Sequence, residues 1–330
     1  MHRKTQKTRP WVFPAIVLAG LLASAPAIGF TYGLTDDYGL LLKARTGAFA
    51  LLQNPFAYLG RPVAGFLLVP AMQLAGTVEN LAWLRLAGLA GVLCYALLQD
   101  HLLARAGWRS APRLLAGTLT VSSPAALAWS GWAACFPYAW GAVLGLLAGC
   151  LTTPLGSAKP GRRRTGLRAG AALILLVASL STYQGVSGVF LVPLWLALLM
   201  EPEVRFRKTV LLPASVFLLG HGLYLAVYLA TRETGWAGTA YGTKTGLFTS
   251  GLGTLRDYLL SVLPSSLTFW GAPLSTGTAL LGSLLCAGTL LPWLRTSGLP
   301  PSGSRSSAGL SIGPRMGLLL AILLLCGMVV

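Results

Sequence analysis

The sequence predicts an all-α polytopic membrane protein, and three observations carry that expectation. Only 10% of its 330 residues are charged while 55% are apolar, against roughly 25% charged in a soluble domain. Mean hydropathy is +0.69, and uncharged apolar runs of bilayer-spanning length recur along the chain. The 25 Lys and Arg, against 8 Asp and Glu, gather in clusters between those runs. That is the arrangement of the positive-inside rule, not of a basic face, so nucleic acid is not expected as a partner. A soluble enzyme, a secreted disulfide scaffold and a disordered protein are excluded.

The elements follow in order. A basic tail, with Arg3, Lys4, Lys7 and Arg9, precedes an apolar stretch at 11–30. Ala23-Ser24-Ala25 resembles a signal-peptide cleavage site, but the run is long enough to span, so an uncleaved helix is expected. Further clusters around Arg105–Arg113, Lys159–Arg168, Arg205–Lys208 and Arg295–Arg315 mark cytoplasmic loops, and with the tail they hold eighteen of the 25 cations. Threading helices between these anchors gives nine spans, near 11–30, 81–99, 114–130, 135–153, 169–183, 186–200, 209–230, 274–293 and 316–330. The 169–183 and 186–200 helices are expected to be short, at ~22 Å each.

The apolar segment 62–78 would invert every later loop if it crossed. It is therefore placed at the outer leaflet as an interfacial or re-entrant segment, broken by Pro62 and Pro70. The whole chain, 1–330, reads as one transmembrane domain with outer loops at 31–80 and 231–273. It stops at Met-Val-Val inside an apolar run, as a fragment would or a last helix ending at the membrane edge.

Few residues can carry chemistry. Cys94, Cys135, Cys150, Cys286 and Cys326 lie singly within apolar runs and read as small buried hydrophobes. His221 stands alone in an apolar helix, where hydrogen-bonded packing is the plainer expectation. Glu201 and Glu203 fall in a basic cytoplasmic turn, and Asp100 at a cytoplasmic helix end beside His101. The pair Asp36-Asp37 follows the first helix directly. Adjacent carboxylates at a membrane surface should titrate together, with at least one pKa raised. Such a group suits a general base acting on a sugar hydroxyl; it could equally cap the next helix through its amides.

Seven cations remain for the outer face: Lys43, Arg45, Arg61, Arg85, Arg232, Lys244 and Arg256. Cations kept there against the positive-inside rule suit an anionic ligand such as phosphate, or snorkelling to headgroups. Tyr183-Gln184, between two predicted helices, can hydrogen-bond a sugar or diphosphate. Trp129, Trp132, Tyr138 and Trp140 read as an aromatic belt that could also stack on a sugar.

Together, Asp36-Asp37 after the first span, the loop closing at Gly60-Arg61-Pro62 and the later Tyr183-Gln184 resemble the GtrII-type membrane glucosyltransferases of the GT-C superfamily. The likeness covers residues 30–200 and rests on short motifs. It implies a GT-C-like bundle with interfacial helices in the first outer loop. It also implies a polyprenyl-phosphate-linked sugar donor and a cell-surface or lipid-linked glycan acceptor, joined at the outer face of a bacterial plasma membrane with the amino terminus in the cytoplasm. By this likeness Asp36 or Asp37 is the catalytic base, and Arg61, Tyr183 and Gln184 match the later motif positions of a donor site. Lys43 and Arg45 join them as donor-binding candidates by charge, and the sequence leaves open which of Lys43, Arg45, Arg61, Arg232 and Arg256 would neutralise the departing phosphate. No cofactor is expected, and no second acidic motif supports a divalent metal. A transporter or flippase, or a non-catalytic envelope scaffold, is the alternative.

Overall fold

The computed structural model describes residues 11–47, 56–57, 59–153, 162–200 and 206–233. These belong to one compact unit, formed by residues 1–200 and 204–242. The predicted spans at 274–293 and 316–330 and most of the predicted loop at 231–273 lie outside the described residues, as do the basic tail and Lys244 and Arg256.

Among the described residues every element is helical. Helix α1 covers Val12–Gly29, α2 Thr35–Arg45, α3 Pro62–Ala75 and α4 Leu81–Arg105. Then follow α5 (Ser110–Val121), α6 (Pro124–Gly131), a 3-10 turn (Ala133–Cys135) and α7 (Phe136–Thr152). The described part closes with α8 (Arg162–Thr182), a 3-10 run (Gln184–Leu191), α9 (Val192–Met200) and α10 (Phe206–Glu233). Five segments are long and apolar enough to cross a membrane: Val12–Gly29, Leu81–Arg105, Ala133–Thr152, Thr165–Thr182 and Thr209–Ala230.

Several elements depart from the sequence expectation, each for a local reason. The predicted span 114–130 is two helices, because Ser123 caps α6 by accepting the Ala126 amide at 3.2 Å and Pro124 takes the first helical position. The predicted 81–99 span runs on to Arg105, and α8 begins at Arg162. Gln, Leu, Ala and Arg are good helix formers, so the helix outlasts the apolar run that revealed it. At 21 residues α8 is about 31 Å long, not short. Pro62 and Pro70 do not break 62–78. Pro62 sits at the start of α3, Pro70 is carried inside it, and Gly76 ends it in the left-handed region at φ 65°. At 14 residues, about 21 Å, α3 falls short of the ~30 Å hydrocarbon core.

The 186–200 segment is not one α-helix either. Its first half is wound as a 3-10 run of eight residues, where runs beyond three or four residues are uncommon. The cause lies on α7, whose Gly141, Gly145 and Gly149 recur every fourth residue on one face. Val186 and Phe190 pack against that stripe, and a Cβ at Gly149 would overlap the Phe190 carbonyl. Small residues at this spacing let backbones meet at close range. Ser179 of α8 closes the same seam, its hydroxyl donating to the Gly141 carbonyl at 2.7 Å.

The core is several adjoining clusters, not one. Val12 and Ile16 of α1 meet Val92 and Ala96 of α4, Val121, Ala126 and Ala139. Leu176, Leu180, Phe190 and Val216 join α8, the 3-10 run and α10. Leu41, Leu68, Met72, Leu84 and Phe136 seat α2 and α3 against α4 and α7. This last cluster is the floor beneath the residues considered next.

Candidate functional site

The carboxyl end of α1, the amino ends of α3 and α4, and the α6–α7 and α8–3-10 junctions meet at one end of the bundle. Contacts between residues far apart in sequence establish this. The Tyr32 hydroxyl donates to the Gly131 carbonyl at 2.6 Å, Asp37 accepts the Ala134 amide at 2.8 Å, and Arg61 reaches both Tyr138 and Gln184.

The two adjacent acids have different surroundings. Asp37 is fully buried, one carboxylate oxygen accepting the Leu34 amide at 3.1 Å and the other the Ala134 amide. It therefore caps its own helix at the third position and also sits at the amino-terminal entry of α7. Both are places where helix dipoles favour an anion. Burial still outweighs these bonds and the nearby charge of Arg85, so the Asp37 carboxyl is held above its ordinary pKa. Asp36, one residue earlier, is exposed. Its carboxylate has no hydrogen bond or ion pair among the described residues. The charge acting on Asp37 comes from Arg85, not from Asp36. The pair is thus divided into one buried and one open carboxylate.

Arg85 is a correction to the sequence expectation. Assigned there to the outer-face cations, it is instead fully buried on α4. Its guanidinium donates to the carbonyls of Ala27 and Phe30 at 3.1 Å each and to that of Tyr32, and lies 3.8 Å from the centre of the Tyr32 ring. The Ala27 and Phe30 carbonyls belong to the carboxyl end of α1, whose partial negative charge attracts a cation, and that of Tyr32 follows just after it. Arg85 thus pins the 27–32 backbone from below while Tyr32 ties it to Gly131. The start of α2, and Asp36 with it, is held on three sides.

Arg61 forms no ion pair among the described residues. Its Nε donates to Gln184 Oε1 at 3.3 Å and an Nη to the Tyr138 hydroxyl at 3.1 Å. The Tyr183 and Tyr138 rings stack at 4.4 Å, and the guanidinium lies 4.5 Å from the first and 5.6 Å from the second. The remaining Nη hydrogens have no partner among the described residues. Gln184 donates in turn to the carbonyls of Leu59 and Gly60, at 2.9 and 3.0 Å. Gly60 itself is in the left-handed region, φ 74°.

Of the residues singled out in the sequence, the structure brings Arg61, Tyr183 and Gln184 into direct contact. Cys135, at the start of α7, lies near enough to Asp37, Arg61 and Asp36 to feel the charge of each, so all three belong to the same end of the bundle. Lys43 and Arg45 are not brought in. Both are exposed in the last turn of α2, where they offset the negative end of its dipole. Tyr138, read in the sequence as a belt residue that could stack on a sugar, and Tyr224, not singled out there, also belong to the cluster. The signal for Tyr138 was present in its aromatic turn, but Tyr224 stands in an unremarkable apolar helix. Trp129, Trp132 and Trp140 pack inward against the buried clusters, and the Trp140 indole donates to the Ala87 carbonyl at 3.1 Å. His221 hydrogen-bonds the Phe217 carbonyl through Nδ1 at 2.8 Å, as a packed histidine does.

Comparison with protein-family models, curated proteins and solved structures finds no match for this chain. Its chemistry is therefore read from its own residues. Among the described residues, no three of His, Cys, Asp and Glu come together in a way that could hold a metal ion. What the site offers is an open carboxylate on a braced helix start and an arginine with uncommitted N–H groups.

Proposed function

We propose that the protein is a membrane glycosyltransferase, moving a sugar from a polyprenyl-phosphate donor to a glycan acceptor at the bundle end that carries Asp36 and Arg61. One observation carries the reading: a carboxylate and an aromatic-braced arginine, neither ion-paired among the described residues, lie at the same end of an apolar helical bundle. In the proposed reaction Asp36 takes the proton from an acceptor hydroxyl. That oxygen then bonds to the anomeric carbon as the bond from carbon to the phosphate oxygen breaks. The electron pair leaves on the polyprenyl phosphate, and the uncommitted Nη hydrogens of Arg61 stabilise the added charge. Asp37 is too deeply buried to touch an acceptor and acts as a positioning residue, fixing the first turn of α2. Lys43 and Arg45 are exposed on the same helix and attract anionic headgroups.

The same reading counts the two broken segments as crossings. Helices α5 and α6 together reach about 30 Å, and the 3-10 run with α9 about the same at 2.0 and 1.5 Å per residue. Each matches the hydrocarbon thickness. With the five long helices this gives seven crossings, and the apolar runs at 274–293 and 316–330 bring the total to nine. The site then faces outward and the amino terminus inward, in a bacterial plasma membrane. A transporter would need free ionisable groups near mid-membrane. The buried charges found among the described residues, Asp37, Arg85, Asp100 and Arg113, lie near helix ends and are bonded.

Mass analysis of cell-surface glycans and lipid-linked sugars tests the reading in cells carrying Asp36→Asn or Arg61→Lys at normal expression. Loss of one glycan species with build-up of its lipid-linked donor is expected from each. Unchanged pools in both variants would rule the transferase out. Reporters fused at residues 35 and 160 should fall on opposite sides of the membrane.

A further inference from the structure

The contacts around Arg61 continue past Gln184 to a residue on the last described helix. The Tyr224 hydroxyl of α10 donates to the Gly60 carbonyl at 2.8 Å and also meets the Gln184 side-chain amide. A Cβ at Gly60 would overlap the Tyr224 oxygen and crowd Gln184 Nε2 at 2.7 Å. Glycine, already required by its φ of 74°, is thus what allows the tyrosine to close on this turn.

Donor and acceptor accounting fixes the direction of the whole chain of bonds. Gln184 Nε2 faces the Leu59 and Gly60 carbonyls and the Tyr224 oxygen, all of which can accept, and its two N–H hydrogens are shared among these three acceptors. Turning the amide over would set its oxygen against two carbonyls and its NH2 against the Arg61 Nε–H, a donor facing a donor. With the observed orientation, Gln184 Oε1 is the acceptor that holds Arg61 Nε. The Tyr224 hydroxyl has one proton, which goes to Gly60, leaving its lone pairs for Gln184. Helix α10 is itself seated on α8 where Gly220 meets Leu173 and Leu176, and beside Phe190 through Phe217.

We propose that Tyr224 is a positioning residue for Arg61, latching the Gly60–Arg61 turn and the Gln184 amide to α10, so that anion binding at Arg61 depends on how α10 is seated. Tyr224 touches no ligand itself. The proposal rests on reading Arg61 as the phosphate-binding cation, and it deepens that reading by making a distant helix part of the donor site.

The test uses the full chain in nanodiscs of phosphatidylethanolamine and phosphatidylglycerol, with two separate readouts. The first needs no ligand: the rate at which phenylglyoxal modifies Arg61, followed by peptide mass spectrometry with exposed Arg45 as internal reference. Tyr224→Phe keeps the ring and deletes the latch, so Arg61 labelling should accelerate about two- to tenfold, the scale of one lost hydrogen bond. Gly60→Ala should do at least as much, and Leu218→Ala, on the exposed face of α10, should do nothing. Labelling that is unchanged in both Tyr224→Phe and Gly60→Ala would overturn the latch. The second readout is binding of a polyprenyl phosphate. Tyr224→Phe should weaken it by a comparable factor in the native background and leave it unchanged in an Arg61→Ala background. If labelling responds but the native protein binds no polyprenyl phosphate, the latch stands and the reading of Arg61 as a phosphate site falls.

Discussion

The two ends of the bundle handle buried charge in opposite ways. At the end away from Asp36, Asp100 of α4 and Arg113 of α5 form a two-pronged ion pair at 2.8 and 2.6 Å, both largely buried. Acid and base cancel each other directly, and nothing is left for a ligand. At the other end Asp37, Arg85 and Arg61 lie in one neighbourhood and form no ion pair among themselves. Asp37 bonds to amides, Arg85 to carbonyls, and Arg61 to neutral side chains. A closed pair makes a structural clamp. Charges held apart by backbone and aromatic groups keep their fields, and that end can act on something else.

The clamp should show the largest effect. Asp100→Ala leaves Arg113 buried without its partner, a loss of about 3–5 kcal/mol, measurable as a large fall in thermal unfolding temperature in detergent. Replacing both with apolar residues of similar size, Asp100→Leu with Arg113→Met, should recover most of it. If the double variant is as unstable as the single one, the pair is not self-contained and the contrast between the ends weakens.

Arg85 comes next. Arg85→Met strands the carbonyls of Ala27, Phe30 and Tyr32, costing on the order of 3 kcal/mol in unfolding free energy. It also removes the positive charge that partly offsets burial of Asp37, so the Asp37 carboxyl should rise further above its ordinary value. Labelling of Asp37 by a hydrophobic carbodiimide, which reacts with the protonated acid, should then persist to higher pH in Arg85→Met than in the native chain. An unshifted labelling profile would mean that the two groups do not communicate.

How far the sequence foretold this contrast depends on the physics behind each part. The spans were legible because hydropathy is a local sum, and five appear as long helices. The break at Ser122-Ser123-Pro124 was also legible, as a cap followed by a first-turn proline, but the apolar count ran over it. The 3-10 run was not legible, since its winding answers to the glycine stripe of α7 and not to its own residues. The ion pair was missed for a related reason: Asp100 is legible only as a cytoplasmic helix end beside His101 and Arg113 only as part of a basic loop. Helix α4 in fact carries Asp100 inward to meet an arginine thirteen residues later. Arg85 was read as an exposed cation because a charge in a sequence does not say which backbone carbonyls will receive it. Arg61, Tyr183 and Gln184 were singled out by type and order, and the fold makes them neighbours. The partner that orients them, Tyr224, is forty residues further on and has no local mark.

Asp37 is expected to respond to pH more than to mutation. Its folded-state pKa lies above the unfolded value near 3.8, so between the two the folded protein binds more protons than the unfolded chain. Stability from this group is therefore greatest at low pH, declines as pH rises from about 4 to the folded pKa, and is flat beyond. Asp37→Asn removes that slope. It keeps one accepted amide and sets its NH2 against the other, for a net loss of about 1 kcal/mol at neutral pH. Unfolding curves collected across the acidic range in both proteins separate these effects. A stability difference, native minus Asp37→Asn, that grows as pH rises through this range would contradict the raised value.

The smallest stability effect belongs to Asp36, and that is what makes its variant informative. Its carboxylate is exposed and unbonded among the described residues, so Asp36→Asn should change unfolding free energy by less than about 0.5 kcal/mol. A residue needed for structure cannot behave in this way, whereas one kept for its reactivity must. The proposal therefore requires a dissociation: Asp36→Asn folds and inserts like the native protein yet fails to transfer sugar, whereas Asp37→Asn loses activity in step with the ordering of α2. Rescue distinguishes the two further. Asp36→Glu retains a carboxylate on a longer arm in open space and should restore part of the transfer. Asp37→Glu must fit an extra methylene into a closed site between the Leu34 and Ala134 amides and should not. If the two glutamate variants behave alike, the open and buried acids are not performing different tasks, and the division drawn at this end of the bundle is wrong.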